Sequence, residues 1–522
     1  MKAIKIMILI VSIISVSGCY KLKEEVFSEV LAKDFNPSEK DIPSLIGAVY
    51  ATMRPTMTDW GGYLETQEET GDAIIYPHRP NGWGGPYLRY HRHTWTPEDS
   101  HPSSLWGSSY KGVNTANRLI YQIESGQIPM TVGKEKLLAE LRAVRAFFYF
   151  ILMDNFGNVP LVTNFVSQEV PLQSKQIDIY NFVVKELQES IPLLAEEVSK
   201  TTYGRFTKWA AKTLLAKIYL NAKFYTGTVE LKKCLSLCDE VIASGKYILE
   251  PNYKESFKTY NENSRELIFA VPYDEVQAPG FFIHMMSLDP QQRLVFKMES
   301  GPWGGSCAVP QFINTYDPED GRLKDTWLIG NQINPDNGNI EVSYPNFVKS
   351  IDEAGRFEGY RIQKYEIKLG VKTNLSNDFP VFRYAEVMMM KAECLLRIGD
   401  ADAAAAIVTT IRQRDFKTNL AKATVTGTQL KQGSSYVYGY STENGTISPV
   451  VGGADVQYGR FLDELGWEFA IEAHRRQDLI RFDVFTMKTW FNHTPNGDYR
   501  KLWPIPQKEL NKNPNLKQNP GY

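Results

Sequence analysis

KEKLLAELRAVRAFFYFILMDNFGNVP, residues 134–160, sets the class of the fold. Leu137, Leu138, Leu141, Val144, Phe147, Phe148, Ile151 and Leu152 recur at i, i+3, i+4, i+7 spacing, which predicts a long core-facing helix. Asn155-Phe156-Gly157 stops it, and Pro160 confirms the stop. Arg142 and Arg145 fall on its polar side. Moving outward, further helices are expected over 43–54, 105–125, 177–198, 207–224, 229–244, 381–398, 401–414 and 458–485. Thr207 is a good N-cap for one of them, and Gly245 closes another. Two of these neighbours, 207–224 with 229–244 and 381–398 with 401–414, read as helix pairs around short turns. Such pairs stack to bury shared faces. The stretch 251–379 differs, with frequent Gly, Pro, Asn and aromatics and short β-like runs. Residues 423–453 read as a polar insertion.

The N-terminus carries a different message. Lys2 and Lys5 precede an apolar run from Ile6 to Val16, too short to span a bilayer. Val16-Ser17-Gly18 then lead into Cys19. Small residues before a cysteine have the form of a bacterial lipobox, cut just before a cysteine that then carries lipid. The expectation is a signal peptide over 1–18, a lipidated tether over 19–37 with Cys19 as the lipidation site, and one large domain over 38–522. Later apolar runs are too short for a transmembrane helix.

Composition narrows the function. The net charge is −2 over 522 residues, and losing Lys2 and Lys5 makes it slightly more negative. That excludes nucleic acid as a partner, which needs a basic face. Aromatics reach 12%, with twenty-eight Tyr and ten Trp, and such rings suit ligands that are partly polar and partly apolar. Cys234, Cys238 and Cys394 sit at helical core positions. Cys307, in a Gly-rich loop, is the one thiol expected to be exposed. No disulfide framework or CxxC metal site is present.

Sugar rings offer CH-rich faces and a rim of hydroxyls, so a glycan site needs aromatics on loops beside polar groups. DAIIYPHRPNGWGGPYLRYHRHTW (72–95) has that composition. Trp83 projects among Gly82, Gly84 and Gly85. Tyr76 and Tyr87 extend the platform, and Asn81, Arg79 and His78 supply hydrogen bonds. SGPWGGS (300–306) sets Trp303 in a matching loop, and Phe281 and Phe282 follow a Pro-Gly turn. Trp106, Trp209 and Trp467 lie on amphipathic helices and read as core. Burying about 100 Å² of apolar surface per stacked sugar is worth roughly 2–3 kcal/mol.

Several segments together resemble the SusD/RagB family. They are LRAVRAFFYFILMDNFGNVPLV (141–162), GRFTKWAAKTLLAKIYL (204–220), FPVFRYAEVMMMKAECL (379–395), FAIEAHRRQDLIRF (469–482) and the ending LWPIPQKELNKNPNLKQNPGY (502–522). With the lipobox they bracket nearly the whole mature chain. The resemblance implies a mainly α fold: tetratricopeptide-like helix pairs forming a scaffold, with an irregular ligand-binding half of loops and short strands. It also implies an outer-membrane lipoprotein beside a SusC-like TonB-dependent transporter, capturing a nutrient that is usually a glycan. It implies a binding protein without catalytic residues or a cofactor. Surface lipoproteins of such bacteria often carry acids directly after the lipidated cysteine. Here Lys21 and Lys23 come before Glu24 and Glu25.

Rival readings find less in the residues. No HExxH, GxSxG or Walker loop supports a surface enzyme such as a glycosidase. Gly304-Gly305-Ser306-Cys307-Ala308 lacks the final glycine of a nucleophile elbow. His78, His91, His93 and His101 cluster as zinc ligands do, but without cysteine, and the expected metal set is none. Asn334-Pro335-Asp336-Asn337-Gly338 reads as a turn. The charged run His474, Arg475, Arg476, Asp478 and Arg481 reads as ion pairs tying helices together. A binder of peptide or another nutrient is the remaining alternative.

Overall fold

The computed structural model describes residues 42–130, 132–443, 446–449 and 455–522. Cys19, the signal segment and the tether lie outside the described residues. Seven helices form the frame: α1 (Ser100–Glu124), α2 (Lys134–Phe156), α3 (Gln176–Ser190), α4 (Lys208–Leu220), α5 (Leu231–Ala243), α6 (Tyr384–Ile398) and α7 (Ala401–Gln413). Each packs on the next, so the layer runs unbroken from α1 to α7. The fold is mainly α, as expected. Thr207 caps α4 by accepting from the Ala210 amide, and Gly245 lies two residues past α5 with φ +63°.

From Leu137 onward α2 is buried all round except at Arg142, as befits a helix at the centre of a layer. Arg145 is therefore not on a solvent face. It turns inward, pairing with Glu186 on α3 at 2.6 Å and donating to the Asn117 side chain on α1 at 2.8 Å.

Against this layer lies the irregular half. Strands occur as antiparallel pairs, among them Ile74–Ile75 with Cys307–Ala308 and Leu267–Val271 with Phe379–Arg383. Residues 379–383 thus form a strand, and the helix expected from 381 begins at Tyr384. Phe379, Val381 and Phe382 are β-formers that pack against the core. The chain around 423–453 holds the short helix Gly427–Leu430 and a hairpin of Tyr440–Glu443 with Thr446–Pro449.

The helical region expected over 458–485 breaks in two, α8 (Gly459–Phe469) and α9 (Arg475–Arg481). Between them Ile471 and Ala473 take positive φ, 65° and 64°, a conformation costing roughly 1–3 kcal/mol per non-glycine residue. The break exposes backbone groups to buried partners. Lys364 donates to the carbonyls of Glu468 and Ala470 at 3.1 and 2.7 Å. Tyr365 donates to the Ile471 carbonyl, and the amides of Ile471 and His474 donate to Glu68.

Around this break sits a buried charge network. Glu468 accepts from Arg414 at 2.6 Å and lies 3.3 Å from both Arg322 and Arg383. Arg383 also holds Glu472 and Glu266, and Glu472 holds Lys364. These side chains are at most 2% exposed. Burial pushes the Glu468 carboxyl up, but Arg414, Arg383 and Arg322 outweigh it and hold it well below the usual range. The charged run at 474–481 joins distant elements: Arg475 to Asp72, Arg476 to Asp154, Arg481 to Glu393 on α6.

Removing one member of such a network strands buried charge. Glu468→Ala is expected to destabilise by about 3–5 kcal/mol, whereas Lys185→Ala, in an exposed pair with Glu189, changes stability by about 0–1 kcal/mol. Denaturant unfolding of the two variants checks this. Glu68 supplies a second test. Burial raises its carboxyl from 4.5 to about 7, so the folded state holds this proton more tightly. Its stabilising contribution is complete below 4.5 and is lost as pH rises through about 7. Unfolding midpoints across that window should fall with pH less steeply in Glu68→Gln than in the wild type.

Candidate functional site

Three tryptophans, each followed by two glycines, meet at one surface. They are Trp60-Gly61-Gly62, Trp83-Gly84-Gly85 and Trp303-Gly304-Gly305. The Trp60 ring lies nearly parallel to both others, 6.3 Å and 20° from Trp83 and 5.6 Å and 19° from Trp303. Trp60 is 43% exposed, and Trp83 and Trp303 are half-buried. Phe282 packs beside Trp60 and Trp303 at 5.4 and 5.7 Å. An open depression of about 330 Å³ lies among Trp60, Trp83, Tyr87 and the Gly82–Pro86 backbone.

The segments are locked to each other before any ligand arrives. Trp83 Nε1 donates to the Trp303 carbonyl at 2.6 Å, and Asn81 Nδ2 donates to the same oxygen at 2.8 Å. Arg79 is 2% exposed. It donates to the carbonyls of Gly305 and Glu358 at 3.0 and 2.9 Å and reaches Cys307 Sγ at 3.0 Å. Burial and the neighbouring Arg361 lower its guanidinium to about 10. The Ile74–Ile75 and Cys307–Ala308 pairing holds the same two segments from behind.

The structure therefore brings Trp83, Trp303, Tyr76, Tyr87, Asn81 and Arg79 together but divides their roles. Tyr76 stacks on Tyr87 at 4.4 Å, and both are buried beneath Trp83 as its support. Arg79 is a clamp, not a surface donor. His78 is exposed, with Nδ1 3.2 Å from the Asp352 carbonyl. Phe281 is not at the surface. It packs on Tyr365, Tyr273 and Phe379 in the core, and its neighbour Phe282 faces the tryptophans. Cys307 is also buried, contrary to its expected exposure, because its loop pairs as a strand. Trp60 escaped the sequence reading, although the repeated Trp-Gly-Gly was visible.

Beneath this surface the expected histidine cluster separates. His91 and His93 are buried and bonded to the Phe491 and Thr70 carbonyls, and burial lowers them to about 4 and 3. His101 instead lies between Glu65 and Glu69, 3.1 Å from each. Burial and Glu65 push the Glu69 carboxyl up to about 8, against the pull of His101.

A helical layer carrying an aromatic surface on its irregular half defines the class of protein. Comparison with known proteins supplies the family. The SusD family profile matches residues 265–522, and a second profile, described as "Starch-binding associating with outer membrane", matches 34–220. The chain belongs to the SusD family. The starch-binding protein SusD of Bacteroides thetaiotaomicron is 26% identical over 74% of this chain and 72% of its own. A SusD-like protein of Formosa agariphila, P25, is 24% identical over the full length of both. Among solved structures, a laminarin-binding SusD-like protein superposes with a TM-score of 0.72 at 22% identity, over 94% of this chain and all of its own.

The Trp83–Gly305 contact is a checkable detail. A Cβ on Gly305 would come within 2.6 Å of the Trp83 ring. Gly305→Ala is expected to shift Trp83, change tryptophan emission and cost about 1–3 kcal/mol of stability, read by fluorescence and thermal unfolding.

Proposed function

We propose that this protein is a lipid-anchored glycan-binding protein of the outer membrane that captures oligosaccharide and passes it to a SusC-like TonB-dependent transporter. The observation that carries the reading is the convergence of Trp60, Trp83 and Trp303 on one pre-locked surface. Indole faces suit the CH-rich faces of sugars, and rigid rings lose little freedom on binding. The relatives named for starch and laminarin point to the same ligand class. The anchor rests on the lipobox-like approach to Cys19. Among the described residues, no helix is long and apolar enough to cross a membrane. The transporter rests on the family.

The reading is of a binder, not a catalyst. Of the carboxylates beside the platform, Asp59 accepts from the Trp60 amide at 2.8 Å, and Glu65 and Glu69 lie behind it, only 4% and 2% exposed. A tether confines the protein near its partner, so weak capture suffices.

The test is titration calorimetry on a glycan panel that includes laminarin and starch. Trp60→Ala, Trp83→Ala and Trp303→Ala should each weaken the best ligand by roughly 5–30-fold, the equivalent of about 1–2 kcal/mol per lost stack. Unchanged binding in all three would remove the site. No binding by the wild type to any glycan would leave a peptide or another nutrient as the ligand.

A further inference from the structure

The Glu65, Glu69 and His101 cluster is left unused by the glycan reading. Glu65 lies in the helix Tyr63–Glu68, Glu69 follows one turn later, and His101 begins α1. Glu65, Glu69 and His101 are 4%, 2% and 3% exposed. His101 Nε2 is 3.1 Å from an oxygen of each carboxylate, an ion-pair contact with both that falls short of good hydrogen-bond geometry. Both oxygens of Glu69 and Oε1 of Glu65 are also buried without a hydrogen-bond partner. One ligand atom from each residue lies within 4.8 Å of the others.

We propose that Glu65, Glu69 and His101 form a buried site for a divalent first-row transition cation, zinc in preference to calcium. Carboxylate oxygen and imidazole nitrogen bind zinc at about 2.0–2.2 Å, which in a tetrahedral site places neighbouring donor atoms about 3.3–3.6 Å apart. The observed 3.1 Å separations are slightly shorter, so an entering ion would spread the donors a little. Two carboxylates, a neutral imidazole and a dication sum to zero charge, which removes the penalty of burying the acids alone. Calcium would want six to eight oxygens and does not favour imidazole. A second shell is present, with Ser100 Oγ 3.3 Å from His101 Nδ1.

The site also reaches the platform. The Gly61 amide, next to Trp60, donates to Glu65 Oε2 at 2.6 Å. Gly61 has φ +68°, and a Cβ there would lie 2.8 Å from His101 Cα. The Trp60 loop is thus laid directly on the ligand set. On the other side the Tyr87 ring stands edge-on to His101 at 5.5 Å. The ion holds the Trp60 loop in the position that completes the aromatic surface.

The experiment uses the full chain purified in detergent without a polyhistidine tag. Elemental analysis should find about one equivalent of zinc in the wild type. Glu69→Gln and His101→Ala should hold less than about a tenth of that, and Ser100→Ala should bind zinc roughly tenfold more weakly. Chelator-treated wild type should gain thermal stability with zinc chloride but not with calcium chloride, and its tryptophan emission should shift in step. This readout needs no glycan, so it can fail while the glycan reading stands, and the reverse. A wild type that carries no stoichiometric metal and shows no stability gain with zinc overturns the proposal and leaves a proton-bridged ion pair. If His101→Ala does not fold, the zinc titration of the wild type decides alone.

Discussion

Glu468 is the point on which the rest of the molecule turns. Its carboxylate is wholly buried among Arg322, Arg383 and Arg414. Those arginines come from the irregular half, the strand before α6 and the end of α7. One acid thus joins three parts of the chain that share no local sequence. A buried acid with no partner would be intolerable, and the three guanidiniums are shared with further buried acids, Asp320, Glu266, Glu472 and Asp415. The arrangement stands only when every segment is in place. That favours one register for the helices and strands that meet there.

The break between α8 and α9 follows from this constraint. A continuous helix would keep the carbonyls of residues 468–471 within its own ladder. Turning the backbone at Ile471 and Ala473 hands them to Lys364 and Tyr365, and Glu68 takes the released amides. Glu68 lies in the helix that also carries Glu65, one residue beyond the Trp60 loop and its two glycines. Network, helix and aromatic surface are therefore mechanically continuous. Arg79 plays the matching part on the other side, gathering the 303–307 and 355–358 segments beneath Trp83.

Much of the frame was legible in sequence because amphipathic spacing and caps are local signals. The helix Lys134–Phe156 and the start of α7 at Ala401 were readable to the residue. Legibility failed where tertiary partners override local preference. Arg145 sits at a position that spacing alone gives to solvent, but Glu186 draws it inward. Residues 381–383 read as the start of a helix until Leu267–Val271 pairs with the strand that holds them. At the site, composition singled out Trp83 and Trp303 and marked Arg79 and Asn81 as neighbours. It did not show that their hydrogen bonds are committed to backbone carbonyls. Phe281 and Phe282 differ only in which way one residue faces, and composition does not carry that. Trp60 was discoverable from the third Trp-Gly-Gly, a pattern that gains meaning once the three loops are seen to meet.

The hydrogen bond from the Trp83 indole to the Trp303 carbonyl spans 220 residues of chain. The aromatic surface is therefore a late product of folding, since closing so long a loop precedes any contact across it. A nascent or truncated chain that ends before residue 303 presents no such surface. Competence to recognise a ligand arrives only with the finished protein, so an unfinished copy cannot compete for what the finished one collects.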